Sequence, residues 1–202
     1  APSPRRVRIF LAEKGVEVKT VPVNLREMEN LKEEFLRINP RGVVPVLELD
    51  DGTRIDESVA ICRYIEEVYP DPPLMGTDAL SRARIESWQR HVEFDGYLAA
   101  VSVLRNSVPA FKDRGLPGLP PEFPAIPDLV ERGRRQYDYF LEQLNKRLGE
   151  SEYVGDDSYS IADITALVTV DFAARAKMAI PETCANIHHW YGQVSSRPSA
   201  DA

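Results

Sequence analysis

Three short groups of residues in this chain have types and spacings that could do chemistry. In "VVPVLELDDGTRIDESVAICRYIEE", residues 43–67, Pro45 stands at the mouth of a strand and Glu57-Ser58 stands where a helix should begin. Proline has no N–H to give a β ladder and is confined to edges, bulges and strand starts, so Pro45 opens an edge strand at the least. The first turn of a helix offers free N–H groups and the positive end of its dipole, which favours a carboxylate beside Glu57-Ser58. A plain cap by Asp56 or Ser58 would satisfy the same N–H groups. The third group is "APSPRR", residues 1–6. Ser3 directly before Pro4 is the pattern of an N-cap, and Arg5 and Arg6 either add positive field at that turn or are simply solvated.

Other reactive side chains are scattered. Cys62 and Cys184 are far apart and form no C-x-x-C, so neither a disulfide framework nor a zinc site is expected. His91, His188 and His189 have no partner at metal-ligand spacing, and no metal is expected.

Periodicity shows which elements must position the three groups. Val7, Phe10 and Leu11 share a face of a first helix that Gly15 ends. "VEVKTVPVN", residues 16–24, alternates enough to read as a strand, and "LKEEFLRINPRG", residues 31–42, as a short helix closed by Pro40 and Gly42. "VVPVLEL" and "TRIDES" are two strands joined at Asp51-Gly52, a dipeptide suited to a tight hairpin. Ile61, Ile65 and Val68 then share a helical face that Pro70 stops. The order helix, strand, helix, strand, strand, helix lacks the first leg of a βαβ unit, so a short strand upstream of Ala1 is expected.

The proline-rich connector "YPDPPLMGTDALS" divides residues 1–75 from an all-helical part, residues 82–202. A long helix is expected over residues 79–106, followed by a proline- and glycine-rich loop over 107–128. The next helix carries Tyr137, Phe140, Leu141, Leu144 and Leu148 on one face. "SIADITALVTVDFAARAKM" is apolar nearly all round, as a central buried helix is, and Ser160 and Asp163 read as a variant capping box. A last helix buries Ile187, Trp190 or Tyr191, and Val194.

Composition bounds the function. A net charge of −7 argues against nucleic acid as a partner, and no apolar run is long enough for a membrane span. Nothing in "APSPRRVRIF" reads as a signal peptide, and a reducing cytoplasm is expected.

"RRVRIFLAEKGVEV", "NPRGVVPVLELDDGTRIDESVAICRYIEE", "PLMG" and "SIADITAL" together resemble a bacterial cytosolic glutathione S-transferase, from Ala1 to Arg197. That resemblance implies a thioredoxin-like N-terminal domain, an all-α C-terminal domain, and a homodimer with its site between domains. It implies a cis Pro45 that makes Val44 present its N–H and C=O to the cysteinyl backbone of glutathione, the co-substrate. It further implies that Ser58 holds the γ-glutamyl carboxylate while Glu57 pairs with the ammonium.

The thiol-activating group is less plainly written. A thiol is mostly protonated at neutral pH, and a hydrogen-bond donor near a helix N-terminus favours the reactive thiolate. Where the family places its hydroxyl, this chain has Ala1, leaving Ser3 or a backbone N–H as the donor. No cysteine stands at that turn for a protein mixed disulfide, and Cys62 reads as a small core residue. Trp88 and Tyr97, with His91, Phe94, Phe111 and Phe123, are candidates to line the pocket of a small hydrophobic electrophile. Two readings follow: a detoxifying transferase using the glutathione thiolate on electrophiles or disulfides, and a non-catalytic glutathione-binding or interaction module of the same fold.

Overall fold

A computed structural model describes residues 1–118 and 123–202. Helix α1 spans Pro2–Lys14 and ends at Gly15, whose φ of 64° lets its N–H return to the Ala12 carbonyl at 3.1 Å. The helix starts earlier than the sequence pattern suggested. Pro2 already has the backbone a first helical position wants, so Ser3 lies inside the first turn and is not its cap.

Residues 16–24 carry no ladder, contrary to the strand expected there. A strand is stabilised by its neighbour's N–H and C=O groups, and among the described residues nothing pairs with this segment, which leaves Val21 largely exposed. The expected helix over 31–42 shrinks to a 3₁₀ turn at Glu29–Leu31 and a short α2, Glu33–Leu36, because Lys32 between them is extended. The hairpin is as the turn dipeptide predicts. Strands β1 (Val46–Glu48) and β2 (Arg54–Asp56) pair antiparallel with Leu47 opposite Ile55, and the Leu49 N–H meets the Thr53 carbonyl at 2.8 Å.

Helix α3, Ser58–Val68, buries Ile61 and Ile65 but leaves Val68 half-exposed at its end. It packs along α1 and over both strands. Two polar stripes meet there. Arg6 and Lys14 on α1 face Ser58 and Glu66 on α3: Arg6 donates to Ser58, and the buried Lys14 ammonium pairs with Glu66 at 2.7 Å.

The long helix expected over 79–106 is interrupted. Helix α4 (Ala79–His91) passes into a π-helical segment, Val92–Tyr97, before α5 (Leu98–Ser107). The wider turn brings Gly96 against α6, where a β-carbon would stand 2.7 Å from the Phe140 ring. The expected loop over 107–128 includes residues 119–122, which lie outside the described residues; around them, Arg105 holds the carbonyls of Arg114 and Leu116.

Helix α6 (Asp128–Glu150) buries Tyr137, Phe140, Leu141 and Leu144, with Leu148 partly covered. Helix α7 (Ile161–Ala174) is central, as its all-round apolar sequence predicts, and packs on α1, α4, α5 and α8. Its capping box is closed: the Asp163 carboxylate accepts the Ser160 N–H at 3.0 Å, and also the Val154 N–H and the Trp190 indole, both at 2.9 Å. Helix α8 (Ala185–Ser195) buries Ile187, Trp190 and Val194, which settles Trp190 over Tyr191. One apolar core runs from α1 and α3 through α7 to α8.

Candidate functional site

Ser58 is the first residue of α3, and Glu57 precedes it as the N-cap residue. Among the described residues no side chain caps this helix, so the plain-cap alternative does not describe it, and its first N–H groups are open to a ligand or water. Glu57 has φ 64° and ψ 116°, a left-handed backbone that a non-glycine residue adopts at a cost of order 1–3 kcal/mol. Its exposed carboxylate bonds the Arg41 guanidinium, which also reaches Asp56 at 3.3 Å. A cleft of about 430 Å³ opens beside Glu57, between α3 and α4, with Arg63, Glu86, Arg90 and Glu93 in its walls.

Ser58 is buried, and its Oγ accepts from Arg6 Nη1 at 2.8 Å. The same Nη1 donates to Glu93 Oε1 at 2.9 Å, and the guanidinium lies 5.8 Å from the Tyr97 ring centroid. Arg6 is therefore neither solvated nor a surface charge; it is 3% exposed. Its burial has a signal in the sequence, since Arg6, Phe10 and Lys14 recur every four residues, as do Ser58, Cys62 and Glu66. Those stripes are easily missed because charged residues are not expected on a buried face.

Val44 and Pro45 lead into β1, and the bond between them is cis. Among the described residues neither the Val44 N–H nor its carbonyl takes part in a hydrogen bond. Next door, the Asn39 amide ties the Val43 carbonyl at 2.9 Å, which fixes the approach to Val44. The pattern offers an extended peptide one donor and one acceptor.

The Ser3 hydroxyl, freed from capping, lies 3.4 Å from the Tyr97 hydroxyl. Tyr97 closes the π-helical segment and packs on Phe172 of α7, with ring centroids 5.8 Å apart. So Ser3 and Tyr97 come together. Trp88 instead has the His91 ring and the Arg147 guanidinium as neighbours, and Phe111 sits against Arg105. Phe94 and Phe123 are about half-exposed. The proposed lining residues thus fall into separate neighbourhoods. Burial pushes the Cys62 thiol up to about 12, the Arg6 charge opposing only in part, which suits a core residue and not a nucleophile.

In charge order the site reads cation and hydroxyl, then acid, then a free backbone donor and acceptor. That order fits a peptide whose one end carries a carboxylate and an ammonium on the same carbon, as the γ-glutamyl end of glutathione does.

The two halves of the chain match two family models: residues 2–68 the N-terminal domain of glutathione S-transferases, and residues 110–198 their C-terminal domain. This pairing defines a thioredoxin-like half followed by an all-helical half. Glutathione S-transferase 2 of Saccharomyces cerevisiae is 39% identical over 203 residues, covering 98% of this chain and 83% of that protein. The crystal structure of Gtt2 from the same yeast superposes with a TM-score of 0.90 at 35% identity, over 100% of this chain and 95% of that one. A Gtt2-class glutathione S-transferase of Vibrio parahaemolyticus gives 0.83 at 40% identity, over 98% and 91%. The chain belongs to the glutathione S-transferase family.

Proposed function

We propose that this transferase holds glutathione along Val44, with the γ-glutamyl carboxylate at Ser58, the ammonium at Glu57 and the sulfur turned toward the first turn of α1. The observation that carries the reading is the Val44 backbone, unpaired among the described residues, together with a helix N-terminus that bears Glu57 and Ser58 and that no described side chain caps. Ser3, on its own or with an N–H of that turn, donates to the sulfur and favours thiolate over thiol. The thiolate then attacks an electrophilic carbon and displaces its leaving group, or attacks one sulfur of a disulfide and releases the other as thiolate, in a small apolar substrate that enters from the side of Tyr97. Activity follows from lowering the thiol pKa and from holding the sulfur near its target.

The same reading takes residues 1–75 as the glutathione-binding domain and 82–202 as the second-substrate side of a cytoplasmic homodimer. Phe94 and Leu98, four residues apart and each about half-exposed, give the α4–α5 face apolar surface that a second copy would cover. Light scattering should return a dimer.

Calorimetry with glutathione, followed by turnover with an aromatic halide and with a hydroxyalkyl disulfide, tests the function. Binding with turnover of either substrate is expected. Binding without turnover would favour the non-catalytic module, and no binding would overturn the site.

A further inference from the structure

We propose that the electrophile taken by this site carries a carboxylate, and that Arg175 at the end of α7 is the residue that selects it. The inference rests on the glutathione site proposed above and names the class of its second substrate: an apolar body with an acid group remote from the reacting centre.

Arg175 stands on the sulfur side of that site. A chain of contacts leads to it from Ser3, whose hydroxyl lies 3.4 Å from that of Tyr97, and the Tyr97 ring packs on Phe172. Phe172 and Arg175 are three residues apart, so they share a face at the end of α7, the helix that packs on α1. The field at the start of α1 agrees with this placement. At the Ala1 nitrogen burial lowers the ammonium pKa first, and of the charges that add to this Arg175 comes ahead of Arg8 and Arg5. A substrate that lies along Tyr97 and Phe172 to reach the sulfur therefore ends beside an exposed guanidinium.

That guanidinium is unspent. Asp171, one turn earlier on α7, would be its ordinary partner. Both Asp171 oxygens are taken instead, Oδ2 by Arg5 and Oδ1 by the Tyr191 hydroxyl at 2.6 Å. The carbonyls at the helix end would also hold a cation, but Arg134 already donates to the Ala176 carbonyl at 3.3 Å. Among the described residues Arg134, Arg175 and Lys177 all lack a carboxylate within ion-pair distance. In a chain of net charge −7, three uncompensated cations at one corner leave a local field that draws an anion.

An arginine that merely complements the α7 dipole would change stability and leave ligand choice alone, so the test reads ligand choice. Calorimetry compares S-benzylglutathione with its 3- and 4-carboxybenzyl counterparts, which need no turnover and add only the carboxylate. The wild-type chain should bind at least one carboxybenzyl conjugate more tightly than the benzyl one. In Arg175→Gln that preference should fall about fivefold, the upper end for an exposed charge pair, and in Arg175→Glu it should reverse. Both variants change an exposed side chain, and circular dichroism checks that they fold. If glutathione binds and the wild-type chain prefers neither carboxybenzyl isomer, or keeps its preference in Arg175→Gln, the role of Arg175 is overturned and the site stands. If neither glutathione nor any conjugate binds, the site falls and the inference with it.

Discussion

Glu57 holds a left-handed backbone to place a carboxylate beside the start of α3, and this sets stability against binding at one residue. Glu57→Gly should raise the unfolding free energy by about 1 kcal/mol in urea titrations, because glycine adopts that φ without strain. The same change should weaken glutathione about tenfold by removing the partner of its ammonium. A second residue prediction concerns Ser3, whose hydroxyl faces Tyr97 and not its own helix. In Ser3→Ala the pKa of bound glutathione, followed by thiolate absorbance against pH, should rise by about one unit. A value equal to wild type would hand the role to the backbone N–H of that turn. The sequence suggested Ser3 as an N-cap because a serine before proline is the usual sign, but Pro2 competes for the same helix start two residues earlier. The Val-Pro and Glu-Ser groups were legible because proline and helix-start chemistry are local. Arg6 was not, since its partners Ser58 and Glu93 are distant in sequence and only the packing of α1 on α3 and the π-helical segment brings them together.

Among the elements, α7 depends on its cap most. Asp163 is wholly buried and accepts from two backbone N–H groups, a hydroxyl and an indole. Asp163→Ala would leave these donors unpaired and should cost about 3 kcal/mol or more in urea unfolding. Burial pushes the Asp163 carboxyl up from 3.8 to about 6, its donors offsetting only part of that. The folded chain therefore keeps this proton to higher pH than the unfolded chain does. The stability it contributes is fully present below the ordinary carboxylate value and is lost as pH rises through about 6. Asp163→Asn, which cannot titrate, should flatten that part of the stability–pH curve. Elements read from periodicity were found where one face meets a core, as for α3, α6 and α7. They differed where a partner decides the structure: residues 16–24 lack a neighbour to pair with, and the Gly96–Phe140 approach breaks the long helix into α4 and α5.

Across the whole molecule, the C-terminal tail is fastened to α1 beside the site. Burial raises the Glu13 carboxyl, but hydrogen bonds from Arg197 and Ser199 more than offset it and hold it below its ordinary range. Arg197 donates from Nε at 2.8 Å and from Nη2 at 2.7 Å, and its guanidinium covers the Tyr159 ring at 4.0 Å. Arg5 adds a bond to the Ala200 carbonyl at 3.0 Å. Because the Glu13 pKa is lowered on folding, this stability is present above the ordinary carboxylate range and is lost as pH falls through it. Glu13→Gln should cost about 1 kcal/mol near neutrality, below the usual range for charged hydrogen bonds because Arg197 is partly exposed and screened. The difference from wild type should vanish in acid. No local pattern announces this fastening, since its partners are separated by nearly the full chain.

A crystal structure of the chain with glutathione is the most direct measurement. The expected complex has the cysteinyl backbone paired with the Val44 N–H and C=O, the γ-glutamyl carboxylate on Ser58, its ammonium on Glu57, and the sulfur near Ser3. Glutathione bound elsewhere, or reversed so that its glycyl end lies at Ser58, would contradict the assignment of the site.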